Sequence, residues 1–296
     1  MSAVLDRPGR WTPRLAPRRL RPAWRQPLAV AGAVVLAVWV LVAAFAPVLA
    51  PFDPLAQSAD RLSAPGGAHL LGTDSLGRDV LSRVILGSRL SVPVAAALVL
   101  GCLVIGAVLG AVAGYVGGWV DEGVMRLADM VLAFPTIILA MVVAAALGPS
   151  LVNAVVAVLV VNWPQYARVT RSLVLGTKTR EYVVVGRLLG AGPLTSLRRD
   201  IVPNIAAPVL VLATLDVGSA ILVLSGLSFL GLGTVPPTPE WGSMVADGVQ
   251  QFDAWWIGTS AGVAILTVVA AVNFVGDALR DALDPHNRST VAGGAL

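Results

Sequence analysis

Leu90–Val116 reads LSVPVAAALVLGCLVIGAVLGAVAGYV, 27 residues without one charged side chain. At 1.5 Å of rise per residue the run forms a helix of about 40 Å, more than the ~30 Å hydrocarbon core of a bilayer. Its apolar residues are continuous rather than alternate, which excludes the two-residue period of a membrane β-strand. Gly106, Gly110 and Gly114 recur every fourth residue and so share one helix face. Small residues on one face let a second helix come close, so the run is a transmembrane helix with a packing seam.

Outward from this helix, five more apolar runs have spanning length: Leu28–Val48, Gly123–Leu147, Leu151–Val174, Ile205–Phe229 and Trp256–Leu279. The expected fold is all-α, a polytopic membrane protein of six transmembrane helices. Composition agrees: the 296 residues are 56% hydrophobic and 13% charged, about half the charge of a soluble domain. One cysteine, Cys102, lies in an apolar run, so no internal disulfide and no cysteine-based metal site is expected. His69 and His286 lie far apart in polar segments, which speaks against a histidine metal site.

Basic residues in the connections set the orientation. Seven arginines precede the first span, and the connection between spans four and five holds Lys178, Arg180, Arg187, Arg198 and Arg199. Residues 231–255 contain no Lys or Arg. The expected organisation is an arginine-rich cytoplasmic tail over 1–27, a first span over 28–48 and an extracytoplasmic segment over 49–89. A five-helix core over 90–280 with an inside loop at 175–204 follows, then a cytoplasmic tail over 281–296. The arginine-rich start, with Arg18-Arg19, is read as a cytoplasmic flank rather than a nucleic-acid arm or a cleaved signal, because further spans follow it.

The inside loop is too long for a turn. Tyr182, Val185, Leu188 and Leu189 repeat at helical spacing, Gly190-Ala191-Gly192-Pro193 breaks the helix, and a second short run, Leu194–Val202, is expected to stop at Pro203-Asn204. Two short helices on a bent joint, with apolar knobs on one side and arginines on the other, suit a membrane surface or a groove on a partner. Gly190 is the residue that tolerates the sharp bend.

From Glu181-Tyr182-Val183 through Gly190-Ala191 to Val202-Pro203-Asn204, this loop resembles the "EAA" loop of ABC importer permeases, with Gly190 and Pro203 at the family's spacing. The family's Glu-Ala-Ala start falls on Val184, Val185 and Gly186, so its carboxylate is missing, and Glu181 lies one turn earlier. The resemblance implies that Glu181, Val184, Val185, Gly186, Gly190, Ala191 and Pro203 form a coupling helix that docks on an ATP-binding subunit.

Other stretches are similar to the dipeptide/oligopeptide (DppC/OppC-like) branch of the same family. They include His69-Leu70-Leu71-Gly72-Thr73-Asp74 through Gly77-Arg78-Asp79 to Ser82-Arg83, then Phe134-Pro135-Thr136, Leu227–Gly233 and Pro239-Glu240-Trp241-Gly242. Read by itself, Thr73 or Asp74 suits a helix cap. Val80, Leu81, Val84 and Ile85 suggest an interfacial helix with Arg78, Asp79, Ser82 and Arg83 on its opposite face.

The resemblance implies a permease subunit importing di- or oligopeptides. Its partners would be a second homologous permease, two ATP-binding subunits and an extracytoplasmic binding protein, in the cytoplasmic membrane with both termini inside. ATP and Mg would be the cofactors of the partner ATPases, with none in this chain. The same architecture fits a nickel or other small-solute importer.

Within the chain no phosphate-binding G-x-x-x-x-G-K-[ST] and no Ser-His-Asp arrangement occurs, so an enzyme is not expected. An ion-gradient-driven transporter would predict inverted repeats, which the sequence lacks. Ionisable residues at membrane depth are functional candidates. Asp216 and Asn162 are expected either on a water-filled substrate path or in hydrogen bonds across a subunit interface, and Asp129 is expected to pair with Arg126.

Overall fold

Asp79 starts the longest helix of the chain. Its carboxylate accepts hydrogen bonds from the Ser82 N–H and hydroxyl, both 2.7 Å, so one of the free donors at the helix start is satisfied. From that cap α2, Val80–Val116, runs for 37 residues straight through Pro93. The structure, a computed structural model, describes residues 26–283. The arginine-rich segment 1–25 and residues 284–296, with His286, lie outside the described residues.

The remaining helices of eight residues or more among the described residues are, in chain order, α1 (Pro27–Ala44), α3 (Gly118–Leu132), α4 (Thr136–Leu147), α5 (Leu151–Lys178), α6 (Glu181–Leu188), α7 (Val202–Phe229), α8 (Trp241–Gln250) and α9 (Trp256–Leu283). No strand occurs among the described residues, and the protein is all-α. Among the described residues, four helical stretches are long and apolar enough to cross a membrane: Pro27–Ala44, Val80–Val116, Pro193–Phe229 and Trp256–Leu283. The bent pair α3 and α4 makes a fifth if it counts as one span. Helix α5 has the length, but Asn153, Asn162, Gln165 and Arg168 dilute its apolar character.

Three expectations about the spans are corrected. First, the segment Gly123–Leu147 is not one straight span. Helices α3 and α4 meet at 89° across Ala133-Phe134-Pro135. Pro135 has no N–H to continue the ladder, and its ring drives the preceding residue out of helical geometry.

Second, no separate interfacial helix precedes α2. Val80–Ile85 are its first turns, and Arg78, Asp79, Ser82 and Arg83 are buried rather than turned to solvent. Third, Pro203 does not stop a helix. Pro193–Thr195 leads into a π-helical stretch, Ser196–Ile201, that continues into α7. Pro203 lies just past the π-helical stretch, whose wider turns give its ring room.

The glycine seam holds the centre of the bundle. Gly106, Gly110 and Gly114 face Trp163, Tyr166, Ala167, Arg171 and Val174 of α5. A Cβ on Gly110 would stand 2.9 Å from the carbonyl carbon and Cα of Ala167, and closer still to its oxygen. The backbones therefore touch, and only glycine permits it. Around this pair the core is built from α2, α4, α5, α7, α8 and α9, with Leu98, Val158, Ile221, Trp241 and Val268 fully or almost fully buried. The chargeless turn between α4 and α5 meets its own needs: Asn153 Nδ2 donates to the carbonyls of Leu147 and Gly148, both 2.9 Å.

At the end of the bundle where α2 begins, the polar segment folds into a buried ion cluster. Asp74 accepts from Arg78 Nε at 2.6 Å and lies 3.5 Å from Arg83 Nε. His69 Nδ1 lies 2.8 Å from Asp79 Oδ1. Arg83 donates to the Pro54 and Pro237 carbonyls, and Trp256 Nε1 donates to the Thr73 carbonyl, so the cluster ties the loops to α9. Beside it Glu240 caps α8, accepting from the N–H groups of Gly242 at 2.8 Å and Ser243 at 3.0 Å. Burial pushes the Glu240 and Asp247 carboxyls above their ordinary range; for Glu240 the two backbone donors counter this in part.

Candidate coupling surface and polar pair

The loop after α5 carries the first candidate site. Helix α6 runs from Glu181 to Leu188 and ends in a left-handed residue, Gly190, at φ +92°. The N–H of Gly190 donates to the Arg187 carbonyl and that of Ala191 to the Gly186 carbonyl, both at 3.0 Å. This is the paired C-terminal arrangement that a glycine at this position allows. The sequence expectation of a helix broken at Gly190 is thus met by geometry. Nothing lies within 4 Å of a Cβ added at Gly190, so here glycine serves the bend and not a close approach within the chain.

Val183 anchors α6. It is fully buried in a cluster with Ala111 of α2, Val174 of α5, Ile201, and Ile205 of α7. Val184 and Val185, and further round Leu188, Leu189 and Leu194, point away from that cluster, with Leu188 and Leu189 more than 80% exposed. Glu181, Gly190 and Pro203 are exposed as well, and Gly186 and Ala191 are half-buried. A Cβ on Gly186 would stand 3.5 Å from an Asp200 carboxylate oxygen, so α6 and the π-helical stretch lie side by side. Glu181, Val184, Val185, Gly186, Gly190 and Ala191 therefore share one tip, while Pro203 sits at its root in α7.

Polar contacts that the sequence reading missed lock this tip to the bundle. Lys178 Nζ donates to the Gly114 carbonyl at 2.7 Å, meeting an unsatisfied carbonyl at the end of α2. The Arg187 guanidinium lies 4.9 Å from the Tyr115 ring centroid. Arg171 pairs with Asp121 and Arg168 with Asp129, joining α5 to α3. The expected Asp129–Arg126 pair is not formed: Arg126 pairs with Glu122 instead, one turn earlier on the same helix. Pairs separated by 39 and 50 residues leave no local signal in a sequence.

The second candidate site is inside the bundle. The Tyr166 hydroxyl of α5 donates to Asp216 Oδ2 of α7 at 2.8 Å. Tyr166 is fully buried and Asp216 half-buried. Asn162 lies one turn before Tyr166 on α5 and is half-buried. Asp216 thus has a partner in its own chain, which neither sequence reading of it included.

Residues 106–289 match the family described as binding-protein-dependent transport system inner membrane component. Residues 14–65 match the N-terminal TM domain of oligopeptide transport permease C. The chain is 48% identical over 266 residues to the dipeptide transport system permease protein DppC of Escherichia coli K12, covering 87% of this chain and 88% of that one. It is 44% identical over 265 residues to the di/tripeptide transport system permease protein DppC of Pseudomonas aeruginosa UCBPP-PA14, with 87% and 88% covered. The nickel transport system permease protein NikC of Escherichia coli K12 is 41% identical over 259 residues, with 86% and 92% covered.

Proposed function

This chain belongs to the family of binding-protein-dependent transport system inner membrane components, and from that premise we propose that it carries di- or oligopeptides inward under the drive of separate ATPase subunits. It is a permease subunit of an ABC importer, a multi-pass inner-membrane transport protein rather than an enzyme. The chain works in a complex with ATPase and binding-protein partners. The proposed complex has a second homologous permease, two ATPases that hold the ATP and Mg, and one extracytoplasmic binding protein. The termini and the 175–204 loop face the cytoplasm, and the 49–89 and 230–255 segments face outward.

The observation that carries the mechanism is the apolar tip of α6. Leu188, Leu189 and Leu194 are held out on a turn fixed by Gly190, while Val183 roots that tip in α2, α5 and α7. Closure of an ATPase pair pushes the tip, and the rooted helices move as a body, so access alternates. The lost carboxylate at Val184 leaves the docking contact mainly apolar. Asn162 and Asp216 line the solute path, and the buried Tyr166 hydroxyl behind them holds the Asp216 carboxylate in place.

The test is Gly190→Val in the assembled transporter. A β-branched residue is strained at φ +92° and loses the turn. Assembly is expected to survive while ATP-driven uptake is lost; unchanged uptake refutes the coupling role. Parallel uptake of labelled dipeptide and of nickel decides the substrate class, which the 48% and 44% identity to the DppC proteins of Escherichia coli K12 and Pseudomonas aeruginosa, against 41% to NikC, favours as peptide.

A further inference from the structure

Helix α3 has three sides. Trp119, Gly123, Leu127, Met130 and, just past its last turn, Phe134 follow at intervals of four, four, three and four. At 3.6 residues per turn these positions fall within about 80° of arc. Trp119 is 83% exposed, Met130 59% and Phe134 58%. On the side turned inward, Val124, Met125 and Ala128 pack against Trp163 and Ala167 of α5. The third side carries Glu122, Arg126 and Asp129, all exposed.

An apolar stripe open on a finished fold needs an occupant, and three observations name it. Helix α3 meets α4 at 89°. Helix α4 is apolar throughout, with Ile137, Ile138 and Val142 turned outward, so in an inner-membrane component it follows the bilayer normal with lipid against it. That places α3 in the membrane plane, with its stripe continuing the lipid-facing surface of α4 at Phe134. Next, the charged flank is already neutralised: Arg126 pairs with Glu122, and Asp129 with Arg168. It offers little net charge to a complementary protein surface, and paired charges sit well at a headgroup layer. Finally, the stripe opens on Trp119, a residue type enriched where apolar and polar layers meet.

We propose that α3 is a membrane-surface helix whose Trp119–Phe134 stripe is immersed at the boundary between phospholipid headgroups and acyl chains. Its Asp121 and Asp129 hold Arg171 and Arg168 on the last turns of α5, which lead through Thr179 and Arg180 into α6. The lipid seat therefore fixes the height of the α6 tip relative to the bilayer.

The test uses the full transporter in phosphatidylethanolamine/phosphatidylglycerol vesicles. In this chain the only cysteine is removed (Cys102→Ala), partner cysteines are likewise removed, and single cysteines are placed by Leu127→Cys or Glu122→Cys and labelled with bimane. Nitroxide lipids quench from near the headgroup or near the bilayer centre, and iodide quenches from water. Fluorescence at Leu127→Cys is expected to be lost chiefly to the shallow nitroxide, and at Glu122→Cys chiefly to iodide. Quenching of Leu127→Cys chiefly by iodide, chiefly by the deep nitroxide, or by none of the three overturns the proposal. These mean, in turn, a face in water, a helix across the bilayer and a face covered by protein. The depth readout does not depend on which solute is carried, so its failure is distinct from failure of the transport reading.

Discussion

Gly110→Ala tests what holds the bundle together. The added Cβ would meet the Ala167 backbone: 2.9 Å from its carbonyl carbon and Cα, and closer to its oxygen. Backbone cannot swing aside as a side chain does, so α2 and α5 must separate, and the neighbouring contacts of Gly106 and Gly114 with α5 loosen with them. Overpacking of this kind costs about 1–3 kcal/mol, against which the better helix propensity of alanine returns at most about 1 kcal/mol.

Gly101→Ala is the matched control on the same helix. Its Cβ would meet only the Leu159 Cδ1 at 2.7 Å, the far end of a flexible side chain. Thermal unfolding of the purified complex in detergent reads the difference. At about 2–4 °C per kcal/mol, Gly110→Ala is expected to lower the midpoint by several degrees, whereas Gly101→Ala leaves it unchanged or slightly raised. Equal midpoints for the two variants would mean that backbone contact along the seam is not what joins α2 to α5.

Three further outcomes are expected. Asp74→Asn leaves Arg78 and Arg83 buried without their counter-charge and is expected to cost about 3–5 kcal/mol, read by thermal unfolding; a loss below about 1 kcal/mol would show the cluster to be solvated. Tyr166→Phe removes the donor to Asp216 and is expected to cost about 1.5–3 kcal/mol, with a cycle against Asp216→Ala as the check; additive effects would deny the pair.

Glu240 gives a pH dependence. Burial raises its carboxyl in the folded state above the ordinary glutamate value near 4.5. Between that value and the raised one the folded chain keeps a proton that the unfolded chain has lost. Stability from this group is therefore complete below about pH 4.5 and falls as pH rises through the folded value. Glu240→Gln is expected to flatten that fall in unfolding midpoints measured across pH, while lowering the midpoint throughout because its amide nitrogen cannot accept the second backbone N–H. Asp247→Asn serves as the control, because burial gives Asp247 a slope of the same sign.

The glycine period of α2 and the Gly190 break were legible in the sequence because both are local, one an interval of four and the other a single residue with unusual backbone freedom. So were the long apolar runs, since length against bilayer thickness needs no tertiary partner. The course of Gly123–Leu147 was not. The run is apolar enough on average to read as one span, and the sequence does not say through what angle the chain turns at Pro135. The Pro203 reading failed for a related reason: a proline stops a helix or opens one depending on the turn before it, and the π-helical stretch was invisible.

What the sequence by itself determined is that this chain lives in a bilayer as helices and carries a bent, arginine-bearing loop between its fourth and fifth apolar runs. Those properties follow from composition, from run length and from residues acting alone. Only the tertiary structure decided which charges meet. Asp121 with Arg171, Asp129 with Arg168 and Tyr166 with Asp216 are each 39 to 50 residues apart. Pairing across that distance depends on which helices pack side by side, and here α5 lies against both α3 and α7, so its side chains find partners on each.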